Sequence, residues 1–434
     1  EAMAIVARAR AFAESLRATA RRTELERRRC PACGGTHVHR HGTYARHPYT
    51  LQGRRTIAMQ RYHCQDCRAT HTPEHPDLPP GARYARSVRR CAIDQYLHTR
   101  SSLRRVAEWV RSEIGHQERW GIWHPLGALW GPPEERAACT LSASTLCLWL
   151  DQAGERAERG LGGLYEEVED SGRVGADGLW ARLRGGAVRV LLMLRDSVTG
   201  LLYPPVVAAG EEAAEAWGQL LTEAARAGLR LEAVRALVSD GAQGLVSHLR
   251  RELPWVYQQR CIWHIWRNLG GELARQAARA VQGLEGEAAR AARTRVRGEL
   301  TRLVHGVLDA PTCEGAEEAL AHLQAHPQGA GLWEVLNARF LELFAHLQPE
   351  HAGVGRVSPE WMWRDFRLRL SRGRNHGSDE RLRRAGTVYT IYRNFTPAQM
   401  RRERRRHYRH PGQCALEVAG EAPEGCSYLD ALGV

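Results

Sequence analysis

Four of the eleven cysteines stand as two tight pairs, Cys30-Pro-Ala-Cys33 and Cys64-Gln-Asp-Cys67. Two thiolates three residues apart on a turn form half of a tetrahedral zinc site, and two such knuckles complete it. A shell of four thiolates leaves no open coordination position, so this chemistry is structural. A second set of residues is built for another kind of metal. Asp177 lies in the middle of an alternating apolar run, Asp240 ends a short apolar run, and Glu380 heads an Arg-rich helical stretch. Hard ions such as Mg2+ or Mn2+ prefer oxygen ligands. A pair of them roughly 3.5 to 4 Å apart is the arrangement that serves phosphodiester chemistry. Asp177, Asp240 and Glu380 are therefore expected to converge as catalytic metal ligands. Cys261 and His264, in Arg260-Cys-Ile-Trp-His264, suit softer metals and are not expected to be primary Mg2+ ligands.

The elements that must position these acids follow from periodicity. Residues 174–183 alternate as a strand, 188–194 form a second, and 201–207 a third whose Pro204 and Pro205 suit a sheet edge. Residues 211–227 have helical spacing. The run 233–238 reads as a buried strand that stops at Ser239-Asp240-Gly241. A helix over 243–253 and a short strand over 255–257 follow. Catalytic groups in such α/β units sit at the carboxyl ends of strands. Three strands, a helix and a strand ending in Asp is the order of an RNase H-like domain, in which the first and fourth strands are neighbours. Asp177 and Asp240, 63 positions apart, are expected to meet for that reason. Residues 270–350 change texture to Ala, Arg, Glu and Leu at helical spacing and read as an all-helical insertion.

Ahead of this α/β part the chain is read in three pieces. Residues 1–29 are expected to be a basic helix and 30–75 a small zinc ribbon. In the ribbon, alternation such as Thr56 to His63 suits β-structure, with His37, His39, His41, His47, His63 and His71 as surface histidines and Arg40, Arg46, Arg54, Arg55 and Arg61 facing DNA. A ribbon this small depends on its metal to fold. Residues 76–165 are read as a helical module. It has a Ser102-capped helix, a Gly-, Pro- and Trp-rich interruption over 115–135, and a second helix opening with Ser142, Ser144 and Thr145. The pairing is like a helix-turn-helix, in which the second helix enters the major groove. The rest divides into 170–269 and 361–400 as two parts of the catalytic domain, 270–360 as the insertion, and 401–434 as a basic tail with an arginine cluster over 401–409.

Composition narrows the class of partner. The 434 residues are 43% hydrophobic and 26% charged, which is the composition of a globular chain. The net charge is +13, and all 62 basic residues are Arg. A GC-rich genome can account for Arg in place of Lys; the excess of base over acid points to a polyanion such as double-stranded DNA. No apolar run approaches the roughly 18 to 20 residues of a membrane span. No cleavable leader is read at the start, and paired cysteines in this pattern suit metal in a reducing cytoplasm, next to the nucleoid, rather than disulfides.

Ser239-Asp-Gly-Ala-Gln-Gly-Leu245, followed by Gln258-Gln-Arg-Cys-Ile-Trp-His-Ile-Trp-Arg-Asn-Leu269, resembles the segment around the second acid of mutator-type insertion-sequence transposases. The cysteine-rich start resembles the zinc ribbons of bacterial transposases, and Tyr389 to Gln399 with His407 to Gln413 resembles their ends. That resemblance implies a DDE enzyme with an RNase H-like fold and a helical insertion before the final Glu. By it, Asp177 is the first acid, Asp240 the second and Glu380 the third, and Cys261 and His264 match the family's C-x-x-H element, which supports either the site or DNA. One departure stands out. The family commonly has a Thr-Asn-Asn-like run two residues before the Glu, whereas here Arg374 to Glu380 leaves a longer gap, which makes Asp379 a rival. The implied activity is metal-dependent DNA strand cleavage and 3′-OH strand transfer at the element's terminal inverted repeats, by a homo-oligomer. Alternatives are an RNase H-like nuclease or resolvase, and a zinc-ribbon DNA-binding regulator with an inactive catalytic domain.

Overall fold

A computed structural model describes residues 29–99, 101–114, 139–165, 168–351, 353–369, 376–397, 412–420 and 426–434. The expected N-terminal helix (apart from residue 29), the 115–135 interruption and the 401–409 arginine cluster lie outside the described residues. The chain divides into two compact units. One comprises Glu1–Ala157, Leu368–Gly373 and Pro423–Val434, and the other Glu158–Arg367 and Arg374–Ala422.

The first unit opens on the cysteine knuckles. Gly34 donates its amide to the Cys30 carbonyl at 2.8 Å and Cys64 donates to Ala69 at 2.9 Å, closing the two turns. Gly34 and Arg68 adopt positive φ at their tips. Strands β1 (Val38–Arg46), β2 (Tyr49–Thr50), β3 (Gly53–Arg54), β4 (Ile57–Cys64) and β5 (Thr70–His71) follow. β1 and β4 pair antiparallel from Val38↔Cys64 to Arg46↔Ile57, with a bulge between Arg40 and Thr43, and β5 adds to β4. The alternation read over Thr56 to His63 is thus a strand shifted by one residue. Helices α1 (Arg86–Thr99), α2 (Leu103–Glu113) and α3 (Ala143–Gly160) succeed the ribbon. α2 is capped as its sequence predicts, the Ser102 hydroxyl accepting the Arg105 amide at 3.2 Å. Ser142 does the same for Thr145 at 3.2 Å, so its hydroxyl caps α3, while Ser144 is exposed.

The second unit is built on β6 (Arg173–Arg182), β7 (Val188–Asp196), β8 (Val206–Ala208), β9 (Ala236–Ser239) and β10 (Tyr257–Arg260). They form one sheet in the order β10-β9-β6-β7-β8. β6–β7 and β7–β8 are antiparallel; β6–β9 and β9–β10 are parallel. The first and fourth strands of the unit are therefore neighbours. Five consecutive residues of β7, Val190 to Leu194, are wholly buried, as in a strand covered on both faces. β8 is the edge strand and begins only after Pro204 and Pro205, which have no amide to give a ladder. Helices α4 (Ala214–Arg226) and α5 (Gln243–Glu252) connect β8 to β9 and β9 to β10.

After β10 the chain is helical: α6 (Ile262–Arg279), α7 (Gly286–Leu308), α8 (Cys313–Ala325), α9 (Ala330–Asn337) and α10 (Phe340–Phe344). These helices share a core of their own that includes Leu269, Leu273, Leu300, Val304, Leu323 and Leu332. α11 (Glu360–Arg369) and α12 (Asp379–Phe395) return to the sheet. Among the described residues no helix is long and apolar enough to cross a membrane.

Candidate active site

Parallel register sets the first two acids level. Arg173, Val174 and Gly175 of β6 face Ala236, Leu237 and Val238 of β9. Extending this register by two residues brings Asp177 opposite Asp240, on neighbouring stretches of backbone roughly 4.8 Å apart. Asp240 follows the last residue of β9, and its Oδ1 accepts the Ala242 amide at 2.9 Å, which turns the chain into α5. Gly241 occupies positive φ, and a Cβ there would overlap the Arg260 guanidinium. That guanidinium donates to the Asp240 carbonyl and, at 2.9 Å, to Glu342. Both contacts tie the loop after β9 to the neighbouring β10.

A segment far along the chain completes the site. Ile262 donates its amide to the Arg356 carbonyl at 3.0 Å. Two residues on, the Ser358 amide donates to Cys261 Sγ at 3.2 Å, and the Ser358 hydroxyl donates to Asp177 Oδ2 at 3.0 Å. Pro359 lies against Gly175, where a Cβ would be crowded at 3.1 Å. The absence of a side chain two positions before Asp177 on the strand thus lets this segment cross the sheet. α11 then starts at Glu360, whose Oε2 is 3.7 Å from His264 Nε2. Asp177, His264 and Glu360 can each present a ligand atom within 4.8 Å of the others.

Electrostatics match this crowding. Burial first, then the charges of Glu360 and Asp240, push the Asp177 carboxyl up to about 8. Burial lowers the His264 imidazole, against the opposing pull of Asp240 and Glu360. Burial raises the Cys261 thiol, so its sulfur acts as a hydrogen-bond acceptor for Ser358. Glu212 adds a further carboxylate nearby. Burial and then Asp240 lift it to about 7, and its Oε1 accepts the Trp180 indole N–H at 3.2 Å. The donors around Asp177 are chiefly carboxylate and hydroxyl oxygens, a set that fits hard divalent cations. A bound cation would offset the burial and the neighbouring charges that raise Asp177.

The structure brings Asp177, Asp240, Cys261 and His264 together and does not bring Glu380 or Asp379 to them. Asp379 pairs with Arg189 at 2.7 Å. Arg189 faces Ala181 across the β6–β7 ladder, whereas Asp177 faces Met193. Four residues of strand, roughly 13 Å, separate the two levels. The His376 carbonyl likewise accepts the Arg184 amide at the hairpin end of these strands. Glu380 is exposed there in the first turn of α12, and a hydrogen bond from Ser378 leads the effects that lower its carboxyl. At this position a negative charge suits the helix N-terminus. The acid beside Asp177 is Glu360, which the sequence reading did not single out. The available signal was Pro359 followed by an acid at a helix start.

In the first unit the four knuckle sulfurs cluster, with Cys30 Sγ 3.5 Å from Cys67 Sγ and Cys33 Sγ 3.7 Å from Cys64 Sγ. Tetrahedral zinc with Zn–S near 2.3 Å would set its sulfurs about 3.8 Å apart, so the cluster fits that ion. The His37 ring is hydrogen-bonded to Asp66 at 2.8 Å beside it.

No curated protein matches the chain. Residues 205–285 match the family model described as Transposase, Mutator family, a segment that contains Asp240, Cys261 and His264. The chain thus carries a mutator-type transposase domain.

Proposed function

We propose that this protein is a DNA transposase whose second unit is an RNase H-like catalytic domain, interrupted by the helices α6 to α10 as an insertion. Asp177, Asp240 and Glu360 would hold Mg2+ or Mn2+. The observation that carries this reading is the meeting of Asp177 and Asp240 on adjacent parallel strands with Glu360 laid across them, in the unit that holds the mutator-family segment. When bound, such cations polarise a phosphodiester and ease deprotonation of the attacking hydroxyl or water. The chain's own residues orient and exclude. Ser358 fixes the Asp177 carboxylate, Cys261 fixes Ser358, and His264 faces Glu360 as a neutral imidazole able to take or give a proton. Water-driven cleavage at an element end would free a 3′-OH, and in-line attack by that 3′-OH on a target phosphodiester would join the two, breaking the target P–O3′ bond and releasing a target 3′-OH. The zinc ribbon and helical module of the first unit would bind the terminal repeats as double-stranded DNA. Joining needs two ends held at once, which calls for a homo-oligomer.

The test is a cleavage and strand-transfer assay on linear DNA carrying the element's ends. Asp177→Asn, Asp240→Asn and Glu360→Gln should each lose on the order of 10³-fold in cleavage, as expected when several kcal/mol of charge stabilisation at the phosphate is removed, with DNA binding retained. Glu380→Gln should cut and join at close to the parent rate. The reverse pattern at 360 and 380 would refute the assignment of the third acid. Cleavage with no joined product would make the protein a nuclease instead.

A further inference from the structure

Helix α7 is unusual in how little of it is packed. Its 23 residues make a rod about 34 Å long. Its buried residues are Leu300, Val304, Val307 and Leu308, all in the last nine positions. The preceding stretch, 286–298, contributes nothing fully buried and carries Arg290, Arg293, Arg295 and Arg297 against the single acid Glu287. All four arginines are exposed. Among the described residues none of the four guanidinium groups has an ion pair or hydrogen bond, whereas some exposed arginines elsewhere in the unit are paired. Arg226 pairs with Glu223 at 2.5 Å and Arg251 with Glu252 at 2.7 Å.

Spacing makes this costly for the free protein. Arg290 and Arg293 are three apart and Arg293 and Arg297 four apart, so all three share one face, and like charges at these separations repel. This stretch touches the helical core only through half-buried residues such as Val296, and without compensating pairs it relies mainly on its Ala and Arg propensity. A surface of this kind is relieved by a polyanion. The Arg290–Arg293–Arg297 stripe extends about 10 Å along the axis, a length that spans neighbouring phosphates, and Arg presents a planar fork of donors to them. We infer that the exposed half of α7 is an arm that grips the phosphate backbone of double-stranded DNA, outside the carboxylate site and without reading bases. The inference rests on the reading of this chain as a transposase, because that supplies the duplex.

The experiment is the salt dependence of binding by the full chain to a fluorescein-labelled 30-bp duplex of arbitrary sequence. Each phosphate neutralised contributes about −0.9 to the slope of log Kobs against log salt. The triple variant Arg290→Gln, Arg293→Gln, Arg297→Gln should shallow that slope by about 2 to 3. Lys at the same three positions should keep it, and Arg226→Gln with Arg251→Gln should leave it unchanged. Matching far-UV circular dichroism between the Gln and Lys triples separates charge loss from helix loss. An unchanged slope in the Gln triple, with a parent that binds and cuts DNA, would overturn the arm alone. A parent that neither binds nor cuts duplex would overturn the arm and the transposase reading together.

Discussion

Ser358 shows how much of the site depends on a single neutral side chain. It is wholly buried, its amide bonds Cys261 and its hydroxyl bonds Asp177 at 3.0 Å. A hydrogen bond to a charged group is worth about 1.5 to 3 kcal/mol, or roughly one to two decades of rate. Ser358→Ala should therefore lower cleavage about 10- to 100-fold and raise the Mg2+ or Mn2+ concentration needed for half-maximal rate. Thr, which keeps the hydroxyl, should restore most of both. A metal requirement that stays put in the Ala variant would show that Ser358 does not position Asp177. The same residue explains why Cys261 is a cysteine in a site read for hard ions: its sulfur receives the amide that aims Ser358.

At the scale of elements, the helices after β10 hold the return of the chain to the sheet. Gln259, the third residue of β10, is buried, donates to the Leu343 carbonyl at 2.7 Å and accepts the His346 amide at 3.0 Å. Burial, then Arg356, depress the His346 imidazole to about 4. The sign follows from proton uptake: the unfolded chain protonates this histidine near 6.5 while the folded chain resists until about 4. Folded stability is therefore complete above pH 6.5 and declines as pH falls toward 4. Urea unfolding of the parent at pH 7.5 and 5 should show the loss, and His346→Gln should reduce it; equal losses in the two proteins would contradict this. In the packed end of α7, Leu300 is fully buried, and Leu300→Ala should cost about 2 to 5 kcal/mol in the same measurement.

At the scale of the whole molecule, two units rest on different stabilising physics. The ribbon has few buried apolar residues, and its four sulfurs are spaced for a zinc ion. Small metal-held domains lose their fold when the metal is removed. Chelation, or Cys30→Ser, should open residues 38–71 to limited proteolysis while the 168–351 region stays protected by its sheet and helical cores. Terminal-repeat binding should fall with the ribbon. Loss of protection in both regions at once would mean that the ion supports more than the ribbon.

Much of this protein was legible in local pattern. Cysteine spacing marked the sulfur cluster, the Ser102 cap marked α2, and an apolar run ending in Ser239-Asp240-Gly241 marked an acid at a strand end, because caps, turns and strand periodicity act over a few residues. Order of strands even gave the neighbour relation that sets Asp177 level with Asp240. The carboxylate that packs beside Asp177, Glu360, was not legible. Glu360 stands before Trp361-Met362-Trp363, which reads as core, and Met362 and Trp363 are indeed buried. The sequence pattern singled out Glu380, with Asp379 as its rival. What separates them is a path: 356–360 is pinned by Ile262 and Cys261 and crosses at Gly175, whereas 376–379 docks at the β6–β7 hairpin. Those contacts join residues nearly a hundred or more positions apart, and no local period encodes them. The sequence by itself determined which residues could bind metal, and it set Asp177 within one strand and Asp240 at the end of another; only tertiary packing decided which distant carboxylate reached them, because that choice belongs to long-range contacts of the backbone.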